Sequence, residues 1–110
     1  MMIFGDHFQN AYVTRNLDKA VADFRKLADV RAEYFWEGEM NVDTPDGPDS
    51  MHIKMALVWV EDLQYEFIQP ISGMEHIYIQ ALRDDDQVQF HHTCMKVTDW
   101  GALHRHLAAQ

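Results

Sequence analysis

Shifting this chain by 83 positions lays one strand-and-helix phrase over another, and that repetition restricts the possible folds more than any other feature. The first phrase is FQNAYVTRNLDKAVADFRKL, Phe8 to Leu27; the second is HHTCMKVTDWGALHRHL, His91 to Leu107. Under the shift Gln9 falls on His92, Ala11 on Cys94, Asn16 on Asp99, Leu17 on Trp100 and Phe24 on Leu107. Asn16 and Asp99 each carry a side-chain oxygen that can accept from a free backbone N–H of a first helical turn. An apolar stripe follows each cap: Leu17, Ala20, Val21, Phe24, Leu27 and Ala28 in the first phrase, Trp100, Leu103 and Leu107 in the second. Coinciding caps and stripes mark a duplicated supersecondary unit. Two such units pair through their sheets and bring equivalent first-strand residues onto one shared surface.

Between the phrases the chain reads as strands and a second helix. Arg31 to Met40, RAEYFWEGEM, is a strand, and NVDTPDGPDS after it is turn chemistry, rich in Asp, Pro and Gly. Met51 to Val60 alternates as a third strand, and Glu61-Asp62 makes a tight connection to a fourth, Leu63 to Ile71. Gly73 to Arg83 carries helix signals, with Ile77 and Leu82 on its apolar side, and DDDQ closes it. Phe90 to Val97 is a fifth strand before the last helix. The predicted order is βαβββ, a linking helix, then βα.

At 110 residues the chain builds a single domain around one core. Its net charge of −9 argues against nucleic acid, whose phosphates require clustered Lys and Arg. A lone cysteine, Cys94, excludes an internal disulfide, suits a reducing compartment and reads as a packing residue of a strand. MMIFGDHF lacks the basic and apolar regions of a signal peptide, and no apolar run reaches membrane-spanning length, so a soluble cytoplasmic protein with no membrane partner is expected.

The repeat directs attention to polar strand residues. Gln9 offers an amide oxygen where His92 offers an imidazole nitrogen, and Glu66 lies on the fourth strand with Gln64 and Ile68 on the same face. An oxygen, a carboxylate and an imidazole that converge suit a borderline divalent ion, Zn, Ni, Co, Mn or Fe. His7 shares the parity of Gln9 and is an alternative ligand, whereas strict alternation sends His91 to the opposite face as a packing or surface residue. His52, His76, His104 and His106 have no partner at useful spacing, and Asp84-Asp85-Asp86 reads as a solvated loop end. Most aromatic residues belong to the core; Trp36, Trp59 and Tyr65 are candidates to line a substrate pocket.

NLDKAVADFRKL after a first strand, three strands ending in EFIQP, and then FHHTCMKVTD together resemble the vicinal oxygen chelate superfamily over nearly the whole chain. That group holds glyoxalase I, methylmalonyl-CoA epimerase, the bleomycin-resistance proteins and the extradiol dioxygenases. The resemblance implies an α+β fold: a βαβββ module of the glyoxalase/bleomycin-resistance type over residues 1–71, a linker over 72–89, and the start (βα) of a second, truncated module over 90–110. It implies metal ligands on the first and fourth strands of each module, here Gln9, Glu66 and His92. Some glyoxalase I proteins use Gln, Glu, His and a final Glu, and that last carboxylate has no counterpart in residues 90–110. Gln9, where dioxygenases carry histidine, speaks against oxygen chemistry.

The function so implied is that of a metal-dependent lyase or isomerase that moves a proton beside a carbonyl of a small organic substrate, with Glu66 as ligand or base. A non-catalytic drug-binding protein of the bleomycin-resistance type is the alternative, and an extradiol-type dioxygenase a further one. A homodimer is expected in each case, since a half-built sheet leaves an edge to cover.

Overall fold

A computed structural model describes residues 5–109. The elements are β1 (Asp6–Val13), α1 (Leu17–Leu27), β2 (Ala32–Thr44), β3 (Gly47–Val60), β4 (Leu63–Ser72), β5 (Gln89–Lys96) and α2 (Trp100–Ala108), with a short 3-10 turn at Ile79–Ala81. Both helices start as the repeat requires. Asn16 Oδ1 accepts from Lys19 N at 3.1 Å, and Asp99 Oδ1 accepts from Ala102 N at 2.9 Å, so equivalent residues cap equivalent turns.

The five strands form one sheet in the order β2-β3-β4-β1-β5. β1 runs parallel to β4 and antiparallel to β5, which joins the two halves of the repeat edge to edge. Helix α1 covers one face: Leu17, Ala20 and Val21 pack on Ala56, Val58 and Phe67, with Tyr12, Phe24 and Tyr65 at the margin. Full burial of a side chain as large as Phe67 stabilises by roughly 1.5–3 kcal/mol, enough to hold a helix too short to persist alone. The second cluster lies on the other face, where Val13, Met51, Ile53 and Ile68 meet Met74, Ile77, Tyr78 and Leu82 of the segment after β4.

Two expectations are corrected. Most of NVDTPDGPDS is strand: β2 and β3 pair from Ala32↔Trp59 out to Thr44↔Gly47, leaving Pro45 and Asp46 alone at the tip. Gly47 takes a φ of +112° there, a conformation that only a glycine adopts freely, so the reversal needs no longer loop. The helix predicted over Gly73 to Arg83 shrinks to the 3-10 turn Ile79–Ala81. Gly73 and Met74 have φ of +83° and +46°, which rules out a helical start, and Met74 gains burial on the sheet instead. Ile77 and Leu82 still supply the apolar side, as the spacing suggested.

No helix among the described residues is long and apolar enough to cross a membrane.

Candidate functional site

Side chains paired across a sheet share a face, and residues two apart along a strand do the same. By that rule the face opposite α1 carries Gln9, Ala11 and Val13 of β1, Gln64, Glu66 and Ile68 of β4, and His92 and Cys94 of β5. Ala11 is the centre of the group. It pairs with Glu66 on one side and His92 on the other, and its side chain is completely buried. Two strand spacings therefore separate Glu66 from His92, about 10 Å between backbones. Gln9, two residues from Ala11, stands between Gln64 and Cys94.

The pairing also has the symmetry of the repeat. Gln9 opposes Cys94, and Ala11 opposes His92, so each residue faces the counterpart of the other's repeat position. Register irregularities fall between His7 and Gln9 and between Ala11 and Tyr12, which leaves Phe8 and His91 as the unpaired extra residues. Phe8 and His91 are themselves equivalent under the shift of 83. Each strand thus carries a β-bulge immediately before its candidate donor.

The bulges overturn two readings based on strict alternation. His91 shares the face of His92: their Nδ1 atoms lie 2.8 Å apart, and His91 also meets Tyr78 in a tilted contact with ring centroids 4.9 Å apart. His7 is turned away from Gln9's side chain. Its Nε2 donates to Asn10 Oδ1 at 2.7 Å and to the Gln9 carbonyl at 3.1 Å, and Asn10 belongs to the α1 face with Tyr65.

Gln9 is 7% exposed, and its Nε2 donates to Gln64 Oε1 at 2.5 Å. That bond uses the amide N–H of Gln9 and leaves its oxygen as an acceptor. Glu66 is half-buried and accepts no hydrogen bond from any described residue. Burial pushes its carboxyl above the ordinary 4.5, and nearby His91 pulls it back only in part. Burial, then His91, holds His92 below the ordinary imidazole value of 6.5, which favours the neutral ring. Cys94 is a thiol raised by burial and by Glu66, and the Tyr78 hydroxyl is raised by burial, Glu66 and Cys94. Glu66, His91, Cys94 and Tyr78 are thus close enough to influence one another.

Of the aromatic candidates, Trp59 pairs with Gln64 and shares the polar face. Trp36 pairs with Met55 and packs into the apolar cluster beneath Met74, Ile77 and Tyr78. Tyr65 stands on the α1 face, 4.7 Å from Phe24 and stacked on Tyr12 at 6.4 Å, and takes no part in the polar group.

Gln9, Ala11, Glu66 and His92 thus occupy the junction of two half-repeats, where the sheet changes from parallel to antiparallel pairing. A family model described as the glyoxalase/bleomycin resistance protein/dioxygenase superfamily matches residues 8–110, nearly the whole chain. The chain belongs to that superfamily. No curated protein matches it. The superfamily joins enzymes with non-catalytic members, so its name alone assigns no reaction.

Against the donor set that the superfamily implies, the fit is partial and specific. Among the described residues no three His, Cys, Asp or Glu side chains gather as a metal site. A divalent ion on this face would need an amide as well: Glu66 and His92 flank Ala11, and Gln9, two residues from Ala11 on the same face, would have to supply its side-chain oxygen. Nitrogen and oxygen donors of this kind suit a borderline first-row ion. Cys94 and Tyr78 also belong to the surroundings of Glu66 and were not among the predicted residues. Period-two spacing from His92 was enough to find Cys94. Tyr78 arrives on an irregular segment and had no signal in the sequence.

Proposed function

We propose that this glyoxalase-superfamily protein is a metal-dependent lyase or isomerase that transfers a proton next to a carbonyl of a small organic molecule. The observation that supports it most is the position of Glu66, a half-buried carboxylate without a hydrogen-bonding partner among the described residues, across Ala11 from His92, whose burial favours the uncharged ring. In this reading Gln9 Oε1, Glu66 and His92 hold a divalent ion. When bound, the ion supplies Lewis-acid polarisation of a substrate oxygen. The residues of the chain do the rest. Glu66, the one carboxylate of the group and pushed toward a higher pKa by burial, receives the proton and returns it. Trp59 offers an apolar wall beside Gln64, and the Gln9–Gln64 bond occupies the Gln9 N–H and leaves its amide oxygen as an acceptor.

The test is a metal titration. Metal-free protein should take up one Co2+ per chain with the absorption bands of a low-coordinate site, and His92→Ala and Gln9→Leu should each weaken uptake. A chain that binds no stoichiometric Zn, Ni, Co, Mn or Fe sinks the proposal.

A non-catalytic small-molecule binding protein is favoured by one observation, the lack of any three-residue His, Cys, Asp or Glu group among the described residues. A net charge of −9 suits a cationic ligand in that case. His92→Ala separates the two readings, because it removes metal affinity under the first and leaves ligand affinity nearly intact under the second. An extradiol dioxygenase is the weakest reading. It needs two histidine ligands, and both ring nitrogens of His91 are engaged by Ile77 and His92.

We also infer a homodimer. Helix α2 has no buried residue, Trp100 and Leu107 are 66% and 55% exposed, and Phe90 of β5 is 50% exposed. Equivalent residues of α1 are packed on a sheet, so α2 carries an apolar stripe without its support.

A further inference from the structure

We propose that His91 is a positioning residue that sets the tautomer of His92, so that His92 presents a bare Nε2 on the Gln9–Glu66 face; its purpose in metal binding rests on the reading above. The bulge makes the contact possible. Residues next to each other on a regular strand point to opposite faces, but the extra residue at 91 brings both imidazoles to one side. His91 Nε2 lies 2.9 Å from the carbonyl oxygen of Ile77. A carbonyl only accepts, so His91 Nε2 carries the hydrogen. In a neutral His91 the other nitrogen, Nδ1, is then an acceptor. His91 Nδ1 is 2.8 Å from His92 Nδ1, so the hydrogen between them belongs to His92. With its hydrogen on Nδ1, a neutral His92 has its lone pair on Nε2.

The relay runs from the irregular segment after β4 into the site: Ile77 carbonyl, His91, His92. The Tyr78 ring lies against His91, tilted by 51° with centroids 4.9 Å apart, and limits where the imidazole can turn. An imidazole that binds a cation, or accepts from a ligand O–H or N–H, needs one lone pair held in a known place, and second partners of this kind commonly supply it. His91 does so here without touching the ligand.

The groups that face the relay are Glu66, whose charge acts on His91, together with Tyr78 and Cys94. None of them offers His91 or His92 a competing hydrogen bond among the described residues, so the assignment depends on the Ile77 carbonyl alone.

The experiment is a long-range nitrogen–proton NMR spectrum of 15N-histidine-labelled, metal-free protein at about pH 8, above the ordinary imidazole range. The expected spectrum has His92 protonated at Nδ1 and bare at Nε2, and His91 protonated at Nε2. His91→Phe keeps the ring against Tyr78 but removes the acceptor, so His92 should leave the Nδ1–H form and Co2+ affinity should fall about 10–100-fold. His91→Gln, which can donate to Ile77 and still offer an oxygen, should restore part of both. A wild-type His92 protonated at Nε2 overturns the proposal even if no variant folds, and so does an unchanged tautomer in folded His91→Phe. A wild-type protein with the expected tautomer that takes up no Co2+ upholds the role of His91 and overturns the metal reading instead.

Discussion

Phe8 and His91 occupy equivalent places in the two halves of the repeat, and each is the extra residue of a β-bulge on its strand. The equivalence has a consequence for the site. A bulge bends its strand and re-aims the next side chain. Here the next side chains are Gln9 and His92, the two candidate donors that the shift superposes. Two bulges related by the repeat thus precede two residues that share one face with Ala11.

Ala11 should therefore be intolerant of size. It is fully buried between Glu66 and His92, and Ala11→Leu puts three more carbons there. Overpacking of this kind costs about 1–3 kcal/mol, so urea denaturation should show a lower midpoint, and Co2+ titration a weaker site. Unchanged cobalt binding in a folded Ala11→Leu protein would mean that the donors meet elsewhere.

Gln64→Leu removes the acceptor for the nearly buried Gln9 amide. A buried donor left without a partner costs about 1–3 kcal/mol, whereas Gln9→Leu with Gln64→Leu removes both polar groups and should recover much of that loss. A double-mutant cycle by denaturant melts measures it. Strictly additive single losses would show that the two amides do not depend on each other.

The Asp85 carboxyl, held by the Arg83 guanidinium at 2.9 Å and by the backbone N–H of Gln87, is lowered from its ordinary 3.8 to about 2. A depressed carboxyl contributes stability that is complete above its unfolded value and is lost as pH falls through the folded one. The window therefore runs from about 4 down to about 2. Carbon-detected NMR should place Asp85 at the bottom of that window and Arg83→Ala should return it toward 3.8. The pair is exposed, so the change in overall stability should be slight.

The α2 surface should hold two chains together. Sedimentation equilibrium should give a dimer mass, and Trp100→Glu, at a residue with no buried contacts of its own helix to lose, should shift it to a monomer while α2 still forms. A wild-type monomer at every concentration tested removes the dimer from the proposed function.

Much of this was legible in the sequence, and the reason differs by element. Helix α1 was readable because Asn16 and the stripe from Leu17 to Phe24 are local signals written within one stretch of chain. The turn between β3 and β4 was equally plain, since Glu61-Asp62 leaves no other connection and Glu61 takes the left-handed conformation. Placing Gln9, Glu66 and His92 on one face needed only period-two alternation and the repeat. Alternation failed at His7 and His91, because a bulge inserts a residue without marking it by composition. It put Tyr65 on the face opposite Glu66 correctly, but what covers that face, helix α1 and not a pocket, follows from where α1 lies and not from the strand itself. The segment from Gly73 to Leu82 kept its apolar residues in the expected places, yet burial of Met74 outweighed its helical preference.

By itself the sequence determined the order of the five strands and of the two capped helices, and the family resemblance, since each is carried by neighbouring residues or by the repeat. Tertiary structure decided which side chains meet. Strand register put Ala11 between Glu66 and His92, the bulge put His91 against His92, and the irregular segment after β4 brought the Ile77 carbonyl and Tyr78 to the same place. Such pairings depend on hydrogen-bond register between strands far apart in the chain, and a single unpaired residue is enough to change them.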